Sequence, residues 1–116
     1  MAAVNYAFTG LPVADLDSAR AWYERLVGRP PDLIPNESEA AWQLTDTAWF
    51  YVVRDDERAG KALLTVLVED LDDQLAELTE RGLRAGPIDT APGRFRRAMI
   101  TDPEGNTITF AQALSG

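Results

Sequence analysis

The 116 residues have the length of one domain, and 46% hydrophobic content is enough for a core. Nineteen acidic against eleven basic residues give a net charge of −8, which opposes binding to nucleic acid or to an anionic membrane. Neither cysteine nor histidine is present, which excludes disulfides, thiol chemistry, histidine-dependent triads and the two-histidine iron triad.

Met1 to Tyr6 lacks the basic start and apolar run of a signal peptide, and no apolar stretch nears the ~20 residues of a membrane span. The cytoplasm is the expected compartment. Val4 to Val13 is rich in β-formers and reads as a first strand. Asp15, Asp17 and Ser18 then offer N-caps, and Leu16, Ala19, Trp22, Tyr23 and Leu26 recur at helical spacing. This pattern expects Trp22 in the core and the Tyr23 hydroxyl at a rim. Gly28 suits a left-handed C-cap, and Arg29-Pro30-Pro31 prevents continuation. Asp32 to Ile34 reads as a short strand and Asn36 to Glu39 as a turn. Ala40 to Leu44 and Ala48 to Arg54 read as two strands.

Asp55 to Lys61 is charged, contains Gly60 and has no periodic apolar face, as a linker would. Leu63 to Val68 predicts a strand. Leu71, Leu75 and Leu78 predict a helix that starts near Asp70 or Asp72 and ends at Gly82. Leu83 to Ile88 predicts a short strand and Ala91-Pro92-Gly93 a turn. Arg94 to Thr101 and Thr107 to Ala111 flank Asp102-Pro103-Glu104-Gly105-Asn106, whose residues are turn formers. The flanks are β-branched and aromatic, so a hairpin is expected.

The two halves repeat. Val13-Ala-Asp15-Leu16-Asp17 and Val68-Glu-Asp70-Leu71-Asp72 share four of five residues at an offset of 55. Leu44-Thr45-Asp46 matches Ile100-Thr101-Asp102 in the same way at 56. Each half reads strand, helix, three strands, and the fold class is α+β.

The duplicated Val-x-Asp helix start, the Trp22-Tyr23-Glu24-Arg25-Leu26-x-Gly28 ending and the Asp-Pro-x-Gly-Asn turn resemble the vicinal oxygen chelate superfamily. That superfamily holds glyoxalase I, extradiol dioxygenases and bleomycin-resistance proteins. The resemblance runs from about Tyr6 to Phe110. It implies one glyoxalase-like domain over residues 1–116, with module 1 at about 4–54, a linker at 55–61 and module 2 at about 62–112. Both modules are βαβββ units whose strands curl into a shared half-barrel with the helices outside. It also implies a homodimer.

Metal-using relatives carry a His or Gln seven residues before the Val-x-Asp aspartate. Those positions are Phe8 and Leu63 here. The last-strand glutamate position is Thr109, and the fourth ligand position falls at Phe50 or Tyr51. Side chains alternate along a strand, so one residue decides which face is meant. Phe8, Leu63 and Phe50 have no donor atom, while Thr109 and Tyr51 offer only hydroxyls. No metal and no cofactor are expected. The many acids read as solvated faces and helix caps, where the macrodipole favours negative charge.

Without ligands the concavity becomes apolar. Trp42, Trp49, Phe50 and Tyr51 lie on or beside its strands; for any one of them a core or dimer-interface place is the preferred reading, and pocket lining the alternative. Arg94-Phe95-Arg96-Arg97 is the one basic cluster. If Ala98 and Ile100 face the helices, then Phe95, Arg97, Met99 and Thr101 face the cavity, and Arg97 is the candidate for an anionic group or carbonyl. Glu39, Asp46, Tyr23 and Tyr51 are acid–base candidates that no spacing pairs. The expected function is sequestration of an aromatic or amphipathic small molecule, without metal, by Phe8, Trp42, Trp49, Phe50, Tyr51, Leu63, Arg97, Met99 and Thr109. A lyase or isomerase, or a non-catalytic interaction module, is the alternative.

Overall fold

The computed structural model describes residues 2–114. The first module contains β1 (Ala7–Val13), α1 (Leu16–Val27), β2 (Leu33–Asn36), β3 (Glu39–Gln43) and β4 (Ala48–Arg54). The second contains β5 (Leu63–Leu67), α2 (Leu71–Glu80), β6 (Asp89–Ala91), β7 (Phe95–Thr101) and β8 (Thr107–Ala113). Each is a four-stranded mixed sheet, in the orders β1-β4-β3-β2 and β5-β8-β7-β6, with the first strand parallel to the last. The hydrogen-bonded ladder does not run from one sheet to the other, so the expected shared half-barrel is two sheets that are not closed.

The repeated aspartates begin the helices. Asp15 accepts the Ser18 amide at 3.1 Å and its hydroxyl at 2.9 Å, and Asp70 accepts the Asp73 amide at 3.1 Å. Those Ser18 bonds hold the Asp15 carboxyl below its ordinary pKa. Gly28, at φ 90°, ends α1 by donating its amide to the Glu24 carbonyl.

Both helices cover one face of their sheets. Leu11, Val13, Phe50, Val52 and Trp42 meet α1, while Leu71, Leu78 and Ile108 fill the second module. Trp42 is 0% exposed, and its ring stacks on Phe50 at 5.3 Å. Its indole N–H donates to the Arg29 carbonyl, as a buried tryptophan requires. At the centre of α1 the expected roles are reversed: Tyr23 is fully buried and Trp22 only packs beside the core. The tyrosine hydroxyl has a partner inside, so its burial leaves nothing unsatisfied.

Leu83 to Ile88 forms no strand. The sixth strand comes later, at Asp89–Ala91, and runs into the turn expected around Pro92 and Gly93. Leu83 is instead a core anchor, and Gly86 donates one amide bond to the Met99 carbonyl.

Two arginines clamp the helix ends together. Arg25 donates to the Arg81 and Gly82 carbonyls, and Arg81 donates to the Arg25 and Leu26 carbonyls. Each guanidinium thus satisfies the orphan C-terminal carbonyls of the other helix and meets the negative end of its dipole. At Gly82 (φ 79°) a Cβ would stand 2.5 Å from Arg25 Nη2, so a side chain there would push the clamp apart.

Candidate functional site

The Asp-Pro-x-Gly-Asn turn joins the modules. Asp102 Oδ1 accepts the amides of Glu104, Gly105 and Asn106, and Oδ2 accepts the Tyr23 hydroxyl at 2.7 Å and Asn106 Nδ2 at 2.8 Å. Asn106 also donates to the Pro12 carbonyl and accepts the Ala62 amide. Glu104 receives the Ala14 and Asp15 amides at the start of α1. The turn therefore fixes the end of β1 and the end of the linker, which together form one wall of a cleft.

Burial first, and then the bond to Asp102, raises the Tyr23 phenol well above its ordinary range. The folded pKa is raised, so the associated stability is complete below the unfolded value near pH 10 and declines as pH rises above it. Wild-type stability is expected to fall by about 1.4 kcal/mol per pH unit more steeply there than that of Tyr23→Phe. Urea unfolding at several alkaline pH values measures this. Equal slopes for the two proteins would contradict it.

The face of the first sheet away from α1 is open. Strand register sets its side chains in rows. Phe8, Trp49 and Gln43 form one row, Gly10, Tyr51 and Ala41 the next, and Pro12, Val53 and Glu39 the third. Phe8 is 53% exposed and stacks on Trp49 at 5.6 Å with the planes 24° apart. The Tyr51 ring lies across Gly10, where a Cβ would come within 2.7 Å of its hydroxyl. This close approach explains a glycine in mid-strand. A cleft of about 410 Å³ follows the second and third rows and is lined by Gly10, Pro12, Glu39, Tyr51, Val53 and Lys61, among others. Asp55 and Arg58 at its edge pair with each other at 3.0 Å.

The second sheet has an open face of different character. Ala98 and Ile100 turn inward, leaving Phe95, Arg97, Met99 and Thr101 outward, with Thr109 beside Met99. Leu63 and Leu67 are 78% and 73% exposed. Arg97 lies 3.3 Å from Asp89 and 5.2 Å from the Phe95 ring centre, so its charge already has partners.

The structure thus gathers Phe8, Trp49 and Tyr51 on one open face, and Leu63, Arg97, Met99 and Thr109 on the other. Trp42 and Phe50 lie on the opposite side of the first sheet, packed against α1; they are core residues, as preferred for any single aromatic, and not ligand-binding ones. Gly10, Glu39 and Lys61 complete the cleft. The glycine inside a predicted strand was the available signal for the first. Glu39 stood out only as one of four acid–base candidates, and nothing singled out Lys61.

Of the residues at which the resemblance expects ligands, Phe8, Tyr51, Leu63 and Thr109 face the open sides of the sheets, since Tyr51 rather than Phe50 faces outward. Two hydrocarbons and two neutral hydroxyls do not fit a divalent ion, which needs charged or imidazole donors. Among the described residues no cluster of three His, Cys, Asp or Glu side chains could hold one elsewhere. No helix among them is long and apolar enough to cross a membrane.

Residues 5–110 match the family model of the glyoxalase/bleomycin resistance protein/dioxygenase superfamily. The chain is similar to a glyoxalase/bleomycin resistance protein from Catenulispora acidiphila DSM 44928, with 38% identity, 96% of this chain and 99% of that one covered, and a TM-score of 0.89. It is also similar to TnmS3, an antibiotic binding protein from Streptomyces sp. CB03234, at 28% identity, with 97% and 98% covered and a TM-score of 0.75. A bleomycin-binding protein complexed with bleomycin shares the fold, at 20% identity, with 94% and 98% covered and a TM-score of 0.75. No curated protein matches the chain. The chain belongs to the glyoxalase/bleomycin resistance protein/dioxygenase superfamily.

Proposed function

We propose that the protein binds a planar aromatic or amphipathic small molecule on the open face of its first sheet, without metal and without turnover. The observation that carries this is the half-exposed Phe8–Trp49 stack, which leads into Tyr51 and the adjoining cleft. Stacked rings offer a flat apolar surface, and the third row adds the polar handle Glu39, as small-molecule sites do. Membership of a family with an antibiotic-binding neighbour supports a small-molecule ligand. The donor-poor side chains at the family's metal positions support metal-independent binding.

A homodimer belongs to this proposal. Leu63, Leu67, Met99 and Phe8 are all exposed on open sheet faces. Apolar patches of this kind mark interaction surfaces. A partner's second sheet laid over the first would supply a second wall to the cleft, bringing Arg97, Met99 and Thr109 towards the ligand. The cytoplasm is the proposed compartment, on the absence of cysteines.

The test is titration with planar aromatic compounds, in the presence of a chelator, followed by tryptophan fluorescence. Saturable quenching with unchanged ligand mass after dissociation supports the proposal. Chemical conversion of the bound compound would replace it with the lyase or isomerase reading.

A further inference from the structure

A second cavity lies behind the first sheet, on the helix side, where the two modules meet. Its volume is about 180 Å³, and Phe50, Leu64, Val66, Ile108 and Phe110 line it. These side chains come from the inward faces of both sheets, so the cavity is separate from the open-face cleft.

Between the modules, Tyr23 reaches Asp102, and Asn106 bridges to Pro12. The repeat puts Leu78 in the place of Tyr23, at the offset of 55, and Asp46 in the place of Asp102. Leucine has no hydroxyl to reach across, and Asp46 is exposed. The Tyr23–Asp102 bond therefore has no counterpart between Leu78 and Asp46.

We propose that this cavity is a second binding site, for a neutral one-ring aromatic bearing a hydroxyl group. Its size decides the ring count: an apolar cavity of about 150 Å³ lined by Leu, Ile and Phe stays dry and takes up benzene. The cavity rim decides the polar group. Gln74 and Glu77, one turn apart on α2, both border the cavity, and neither side chain has a hydrogen-bond or ion-pair partner among the described residues. Both can accept from a hydroxyl. The cations at the rim are already engaged, Arg29 with Asp32 at 2.9 Å and Arg81 with the α1 carbonyls. Counted with Asp32, which pairs with Arg29, the rim carries two cations, Arg29 and Arg81, and two anions, Asp32 and Glu77, so its charges balance and favour a neutral guest.

Phenol is the probe, read by methyl NMR of the full chain. Saturable shifts are expected at Leu64, Val66 and Ile108, with toluene binding several-fold more weakly for want of the hydroxyl. Val66→Phe fills the cavity and is expected to weaken phenol at least tenfold, while quenching of Trp49 by open-face ligands is unchanged. Leu64→Phe serves the same purpose if Val66→Phe does not fold. Gln74→Ala/Glu77→Ala should remove the advantage of phenol over toluene. Absence of saturable shifts, or shifts that persist in a folded cavity-filled variant, would overturn the site. Equal binding of phenol and toluene by the wild type would overturn the role given to the hydroxyl.

Discussion

Asp102→Ala is expected to lower the stability of the protein by roughly 3–5 kcal/mol, a large share of what a domain of this size possesses. The carboxylate is 3% exposed and accepts five hydrogen bonds. Its desolvation is offset only by those bonds, and alanine removes all of them at once. The Tyr23 hydroxyl is then left in the core without its acceptor, which costs about 1–3 kcal/mol by itself. The turn amides lose their partner too, and Asn106 loses one of the contacts that hold it against Pro12 and Ala62. Asp102→Asn should be milder, because one oxygen still accepts the three turn amides. Its NH2 group, however, confronts the donating Nδ2 of Asn106. Urea unfolding measures both variants, and a loss below about 1 kcal/mol for Asp102→Ala would show that the turn does not hold the modules together.

Trp49→Ala is expected to weaken binding of a planar aromatic ligand about tenfold or more, with little loss of stability. Trp49 stacks only on Phe8 and is half-exposed, so its removal opens no core cavity. An aromatic pair is worth about 0.5–1.5 kcal/mol beyond its buried area, and 1.4 kcal/mol is a factor of ten. Trp42→Ala is the informative contrast. That side chain is wholly buried, so its truncation should cost about 3–5 kcal/mol of stability instead. Calorimetric titration of folded Trp49→Ala measures the first effect. An affinity equal to that of wild type would place the ligand away from the Phe8–Trp49 row.

The fold was readable because its local signals agree with one another. The repeated acidic pairs Asp15/Asp17 and Asp70/Asp72 marked the helix starts, of which Asp15 and Asp70 are the caps, and Ala48–Arg54 appears as a strand with the same bounds that its composition suggests. Leu83 to Ile88 misled because its apolar ends suggested a strand, whereas Gly86-Pro87 interrupts it and a strand needs a partner; only Asp89–Ala91 pairs with β7. The faces of β4 were illegible for a related reason. Trp49-Phe50-Tyr51-Val52-Val53 is apolar on both sides, so no alternation reveals which residues face α1. Phe50 was therefore grouped with Tyr51 although consecutive residues point apart. Tyr23 and Trp22 were exchanged because the hydroxyl's partner, Asp102, is 79 residues away, and only the tertiary fold brings them together.

Native mass spectrometry of gently purified protein, repeated under denaturing conditions, tests the central claim most directly, because it reports subunit count, metal and small-molecule adducts together. A metal-free dimer, to which a planar aromatic compound adds non-covalently at up to two copies, is the predicted result. A stoichiometric divalent metal in the native species would contradict it, and would mean that carboxylates outside Phe8, Tyr51, Leu63 and Thr109 build a centre after all.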